Sequence, residues 1–67
     1  MNGWKWREES ETKFVMEKRD KGAYYEFVKE RNDWIATICR ARGQDIVVEP
    51  ITWEDMMTLK AIAAKPD

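Results

Sequence analysis

Apolar and polar residues follow a helical period over residues 23–42. On a helical wheel, one arc carries most of the apolar side chains of this segment, which are Tyr24, Phe27, Val28, Trp34, Ile35, Ile38, Cys39 and Ala41. Arg42 suits the negative C-terminal end of a helix dipole, and Gly43 can take the left-handed conformation that ends a helix. The leading interpretation is therefore one long amphipathic helix from Ala23 to Arg42.

The same stretch also permits strands. Its apolar blocks are rich in aromatic and β-branched residues, and Gly22 suits the left-handed position of a hairpin loop over residues 19–22. The alternation is poor, because Tyr24 and Val28 would share a strand face with Glu26. An antiparallel β-meander is therefore the alternative.

Arg31 has a different place in each interpretation. In a helix it falls within the apolar arc, where an unpaired guanidinium is costly. It would then extend to the edge of the arc, pair with an acid such as Glu17 or Glu49, or face a partner. In a meander it lies in a turn.

The N-terminal residues predict a β-hairpin. Tryptophan alternates with a cation over residues 4–7, so an extended conformation places both indoles on one face. Residues 13–17 would run back antiparallel, with Phe14 and Met16 on the side of the tryptophans.

The C-terminal residues predict a strand and then a helix. The strand runs from Ile46 to Glu49, and Pro50 ends it. Thr52 is a favourable N-cap for a helix over residues 53–65. The predicted fold is one small α+β domain over residues 1–67 in the order ββαβα, and the alternative is an antiparallel β-meander followed by the C-terminal helix.

Composition narrows the classes of function. The 67 residues include 12 basic and 13 acidic side chains that are interleaved, so the net charge of −1 provides no general attraction to nucleic acid or anionic lipid. The single cysteine excludes an internal disulfide, and no apolar run has the length of a membrane span. We therefore expect a cytoplasmic protein with no membrane partner.

The chain is poor in catalytic groups. It has no histidine, one cysteine and one serine, which removes the usual general base, most metal sites and the nucleophilic triads. The adjacent acids Glu8 and Glu9, and likewise Glu54 and Asp55, point in different directions on a strand or a helix. We expect no enzyme activity, no catalytic residues, no cofactor and no metal.

The remaining chemistry favours binding to a protein. Tryptophan, tyrosine, methionine and arginine are common in interfaces, and a small core has limited room for four tryptophans. The leading hypothesis is a small regulator or inhibitor of the type that phages and mobile elements encode, such as an anti-CRISPR or transcription inhibitor. It would occupy a surface of a larger host or viral protein, for example a basic nucleic-acid-binding surface. The candidate partner-binding residues are Trp4, Trp6, Glu8, Glu9, Glu11, Tyr25, Glu26, Glu30, Asp33, Glu54 and Asp55.

Two other possibilities remain open. The strand from Trp4 to Arg7, with nearby basic residues, could stack on bases and hold phosphates, which makes a small nucleic-acid-binding regulator the alternative function. A symmetric homodimer would hide surplus aromatic surface.

Overall fold

The chain forms an antiparallel sheet that is followed by a helix. The structure, a computed structural model, describes residues 3–18, 22–40 and 45–65. Within these ranges the elements are β1 (Trp4–Ser10), β2 (Lys13–Lys18), β3 (Tyr24–Glu30), β4 (Asp33–Arg40), β5 (Asp45–Ile51) and α1 (Trp53–Ala64). Each strand pairs antiparallel with the next in chain order, so the sheet is a five-stranded meander.

The predicted central helix from Ala23 to Arg42 is wrong, and so is the ββαβα order. Residues 24–40 form β3 and β4, which are joined by a two-residue turn. The architecture is the alternative arrangement, a β-meander followed by a C-terminal helix. The helix end that was predicted at Arg42 and Gly43 lies outside the described residues.

The turn between β3 and β4 explains where Arg31 lies. Glu30 pairs with Asp33, which leaves Arg31 and Asn32 as the turn residues. Arg31 has a φ of 60° and is exposed. A positive φ at the first central position is what a tight hairpin turn of the II′ type requires, and here arginine rather than glycine supplies it.

The core lies between α1 and one face of the sheet. We call this face the helix face. Met56 is the one buried residue of α1, all of which is described, and it packs among sheet side chains. The buried members of the cluster are Phe14, Met16, Phe27, Trp34, Ala36 and Met56.

The opposite face of the sheet, which we call the open face, is not covered by a helix in the described ranges of the chain. Val15 points to this face but is only 1% exposed. Charged residues flank Val15 in the pairing register, with Arg7 on one side and Glu26 on the other. The apolar stems of such side chains can cover a small residue while their charged ends stay in water.

The two ends of the chain agree with their predictions. The N-terminal hairpin forms from β1 and β2, with the tryptophans on the helix face beside Phe14 and Met16. At the other end, the side chain of Thr52 accepts a hydrogen bond of 3.0 Å from the backbone N–H of Asp55, which caps α1. However, the prediction that Pro50 ends the strand is wrong, because β5 runs from Asp45 to Ile51 and a proline is tolerated within an edge strand.

Candidate functional site

Three connections meet at one end of the sheet. Because the strands alternate in direction, the β1–β2 loop, the β3–β4 turn and the junction of β5 with α1 all lie at this end. The backbone N–H of Lys29 donates to the carbonyl of Thr12 at 2.9 Å, which fixes the first two connections side by side. We call this region, formed by residues 11–12, 29–33 and 50–55, the turn end.

A groove of about 750 Å³ opens at the turn end. Its walls come from the β3–β4 turn, the last residues of β5 and the first turn of α1. The lining residues are Lys29, Asn32, Asp33, Trp34, Ile35, Pro50, Ile51, Thr52, Trp53 and Asp55.

Aromatic rings form the apolar part of the groove. Trp34 stacks on Phe14 of the core, with ring centroids 4.9 Å apart. Trp53 lies 6.0 Å from Trp34 on the outer side and remains 52% exposed. A tryptophan that is held by other rings and still faces water offers a rigid aromatic surface to a ligand.

Acidic side chains dominate the turn end. Its carboxylates are Glu11, Glu30, Asp33, Glu54 and Asp55. Its cations are Lys29 and Arg31, so acids exceed bases by three (five minus two). None of these carboxylates makes an ion pair with another part of the described chain.

Two of these acids oppose each other. Glu30 and Asp33 are direct cross-strand partners at the closing pair of the turn. Like charges in directly opposite positions destabilise a hairpin. Binding function is a common reason for a protein to retain an arrangement that weakens its fold.

The predicted candidate Glu8 makes an internal contact. Lys60 of α1 donates to Glu8 at 2.7 Å, and the indole N–H of Trp6 donates to it at 3.1 Å. Both hydrogen bonds favour the charged carboxylate, so they hold the pKa of Glu8 below its ordinary value. Glu8 joins α1 to β1.

Glu9 and Glu26 belong to an ion-pair network on the open face. Arg7 contacts Glu17 at 2.6 Å and Glu9 at 2.9 Å. Lys13 lies 3.5 Å from Glu9 and 3.4 Å from Glu26. The hydrogen bond from Arg7 lowers the pKa of Glu9, so this carboxylate is already satisfied within the chain.

The predicted aromatic candidates lie in or beside the core. Trp6 packs against Phe14 and Phe27, and the rings of Trp4 and Tyr25 meet edge to face at 5.5 Å. The cations that alternate with the tryptophans point to the open face. Within the first strand the indoles and the cations therefore lie on opposite faces, while Lys18 and Lys60 lie over the rings of Trp4 and Trp6.

The turn end combines five of the predicted residues with features that the sequence analysis missed. The prediction placed Trp34 in the apolar arc of a central helix and Trp53 at the start of the C-terminal helix, and it did not bring them together. A signal was present, because Trp53 directly follows an N-cap, and a residue in the first turn of a helix lies near the preceding loop. Its partner Trp34 is distant in the sequence, so only strand pairing brings the two rings together.

The described residues hold no group of three or more His, Cys, Asp or Glu side chains that could bind a metal ion. In the same residues no helix has the length and apolar character needed to cross a membrane. Comparison with protein-family models, curated proteins and solved structures finds no match to this chain.

Proposed function

We propose that this protein is a small intracellular regulator that binds a larger protein through its turn end. The observation that carries the proposal is a groove lined by an exposed tryptophan and by the carboxylates of Asp33 and Asp55, which make no ion pair among the described residues. Such a surface complements a patch rich in lysine and arginine. The regulator acts by occupying that patch.

Trp53 supplies a contact for one basic side chain. A lysine or arginine placed over a tryptophan face gains about 0.5–1 kcal/mol at an exposed site and more when water is excluded. Asp55 and Asp33 line the same groove, so a cation on Trp53 has carboxylates beside it. Aromatic and acidic contacts together favour a cationic ligand over a neutral one.

The excess of acid at the turn end determines the class of partner. It repels phosphates, and it speeds association with a basic protein surface through electrostatic attraction. Nucleic-acid-binding proteins present basic surfaces of this kind. An inhibitor of the phage or mobile-element type, such as an anti-CRISPR or transcription inhibitor, would cover such a surface and exclude nucleic acid from it.

Affinity capture from the cells that express the protein tests the proposal. The double variant Glu11→Gln/Glu30→Gln removes two turn-end charges, and we expect it to slow association with the captured protein by about tenfold at low salt. The control is Ala61→Lys/Ala64→Lys on the exposed side of α1, which raises the net charge by the same amount away from the turn end. It should retain most of the association rate.

Two results would contradict the proposal. The first is an equal loss in both double variants, which would show that net charge matters and the turn end does not. The second is tight, salt-sensitive binding to labelled DNA or RNA without a captured protein, which would favour the nucleic-acid alternative. Trp53→Ala provides a further check, because it should speed dissociation of the captured protein.

A further inference from the structure

The two edges of the sheet differ in how open they are. The register of β1 with β2 shifts between Glu8 and Ser10, and such irregularities discourage further strand pairing. At the other edge, β5 has no register shift. Its side chains Ile46 and Val48 are 58% and 63% exposed.

The backbone hydrogen bonds show which groups of β5 face outward. Lys29 donates to Thr12, and Lys18 donates to Ala23. These bonds show that odd-numbered residues of β3 direct their N–H and C=O groups to β2, so even-numbered residues direct theirs to β4. The same alternation, continued through the pairing of β3 with β4 and of β4 with β5, leaves odd-numbered residues of β5 bonded to β4.

The even-numbered residues of β5 therefore face the free edge. They are Ile46, Val48 and Pro50. Pro50 has no N–H, and a proline on an edge strand is tolerated where its nitrogen faces solvent. The free edge thus offers the N–H groups of Ile46 and Val48, together with the carbonyls of all three residues, to another strand.

The side chains of β5 indicate the chemistry of that strand. Ile46 and Val48 point to the open face, whereas Asp45, Val47 and Glu49 point to the helix face. β5 contains no lysine or arginine. Asp45 contacts Arg40 at 3.3 Å, but Glu49 has no ion-pair partner among the described residues. Opposite charges in facing strand positions stabilise pairing, so a basic residue suits the position opposite Glu49.

A second copy of the chain fits this edge poorly. A two-fold arrangement that pairs Ile46 with Val48 of the second copy uses all four outward hydrogen bonds. It also places Asp45 opposite Glu49 twice, which is unfavourable. In a second register, Val48 of one copy pairs with Val48 of the other. Pro50 then lies opposite Ile46, and its missing N–H removes one hydrogen bond at each of these two positions.

We propose that β5 accepts an extended segment of the partner protein as a sixth, antiparallel strand. The segment has apolar residues opposite Ile46 and Val48 and a lysine or arginine opposite Glu49. This inference rests on the proposed function and specifies how the partner's basic surface is recognised. The C-terminal end of β5 lines the turn-end groove, so the added strand and the groove form one continuous surface.

A peptide with the central sequence Arg-Val-Thr-Val-Lys tests the inference. In the antiparallel register its arginine lies opposite Glu49 and its two valines lie opposite Val48 and Ile46. Hydrogen exchange of the full chain should slow about tenfold at the Ile46 and Val48 amides when the peptide is at ten times its dissociation constant. The Val47 and Glu49 amides, which are already bonded to β4, should change much less.

Three controls isolate the strand contact. A peptide with both valines N-methylated loses the N–H donors that face β5 and should not bind. This control uses the unchanged protein, so its result does not depend on whether a protein variant folds. The peptide Glu-Val-Thr-Val-Glu should bind about tenfold more weakly, because its two glutamates would face the acidic side chains of β5 and repel them. Val48→Pro removes an outward N–H and keeps the pairing with β4, so it should fold and lose peptide binding.

The possible outcomes separate this inference from the proposed function. Unchanged exchange at Ile46 and Val48, or equal binding of the N-methylated peptide, overturns the inference. If Val48→Pro captures the cellular partner as well as the natural chain does, the inference is wrong and the proposed function stands.

If the peptide protects the β5 edge but turn-end variants capture the partner normally, the proposed function fails. A second copy would be the occupant of this edge if the free protein sediments as a dimer in which the amides of Ile46 and Val48 are already protected from hydrogen exchange. That result would overturn the inference.

Discussion

Tyr24 is the residue whose ionisation is most clearly altered by its neighbours. Its hydroxyl donates a 2.6 Å hydrogen bond to Glu26 on the open face. This bond, with help from partial burial and the negative charge of Glu26, raises the pKa of Tyr24 to about 12. Glu26 thereby joins an aromatic side chain of β3 to the ion-pair network of β2.

We predict that the ultraviolet absorbance of phenolate reports Tyr24 ionising near pH 12. The folded-state pKa lies above the unfolded value of 10.0, so the stabilisation from this hydrogen bond is complete below pH 10.0 and is lost as the pH rises towards 12. In Glu26→Gln the transition should move to lower pH, and in Tyr24→Phe it should vanish. A transition that stays at the same pH in Glu26→Gln would contradict the assignment.

Arg31 carries backbone strain that glycine would relieve. A positive φ costs a residue with a side chain roughly 1–2 kcal/mol, and glycine avoids this strain. Glycine also loses more conformational entropy on folding, which offsets about 0.5–1 kcal/mol of the gain. We therefore expect Arg31→Gly to raise the free energy of unfolding by up to about 1 kcal/mol, measured by urea denaturation. Asn32→Gly is the control, because the structure gives Asn32 no positive φ and the change should destabilise. A loss of stability in Arg31→Gly would contradict the strained turn.

At the scale of elements, the segment from 24 to 40 shows why periodicity was misleading. The open face of β3 is mixed: Tyr25 and Phe27 meet the core, whereas Tyr24, Glu26 and Val28 lie together on the open face. Glu26 between two apolar residues looked inconsistent with a strand. Its hydrogen bond with Tyr24 and its ion pair with Lys13 account for its position.

The turn between these strands also lacked a recognisable signal. Hairpin turns usually contain glycine where φ is positive, and Arg31-Asn32 contains none. When no turn signal separates them, the apolar residues of β3 and β4 also fall on one side of a helical wheel. Pairing of β4 with β3 on one side and β5 on the other decided between the two structures.

The attachment of α1 depends mainly on Met56. This side chain is fully buried, whereas Met57 is only partly buried against the core. We predict that Met56→Ala lowers the free energy of unfolding by about 2–5 kcal/mol and reduces helical circular dichroism, because a cavity opens under the helix. Met57→Ala should cost distinctly less. Equal losses in the two variants would show that α1 does not pack through Met56.

At the scale of the whole molecule, the two sheet faces are stabilised by different means. The helix face is covered by α1, and the open face is covered over β1 and β2 by charged side chains. Towards β5 that cover ends, and Ile46 and Val48 remain exposed. The described residues form one helix, and it covers only the helix face of the sheet.

Charge pairing on the two faces predicts how the molecule responds to acid. The pKa values of Glu8 and Glu9 lie below the ordinary 4.5, because Lys60 and Arg7 hydrogen-bond to them. Depressed values mean that the stabilisation is present above pH 4.5 and is lost as the pH falls below it. Urea unfolding should therefore show stability decreasing below pH 4.5, and Glu8→Gln/Glu9→Gln should show a smaller decrease. An equal decrease in the variant would assign the acid sensitivity to other groups.

The sequence by itself determined the elements whose signals are local. The alternation of residues 4–7, the return strand with Phe14 and the cap at Thr52 depend on neighbours in the chain, and all three are present in the structure.

Only the tertiary structure decided which of two patterns the central segment adopts and which acids are available. Glu8, Glu9 and Glu26 looked equivalent to Glu30 and Glu54 in the sequence. In the structure, ion pairs with α1, within β1 and between strands use the first three, whereas Glu30 and Glu54 make no ion pair among the described residues. The physical reason is that strand pairing and the packing of α1 on the sheet join residues distant in the chain, as in the contact between Lys60 and Glu8. Local periodicity contains no information about such contacts, and these contacts determine the fold and the ion pairs that each carboxylate makes.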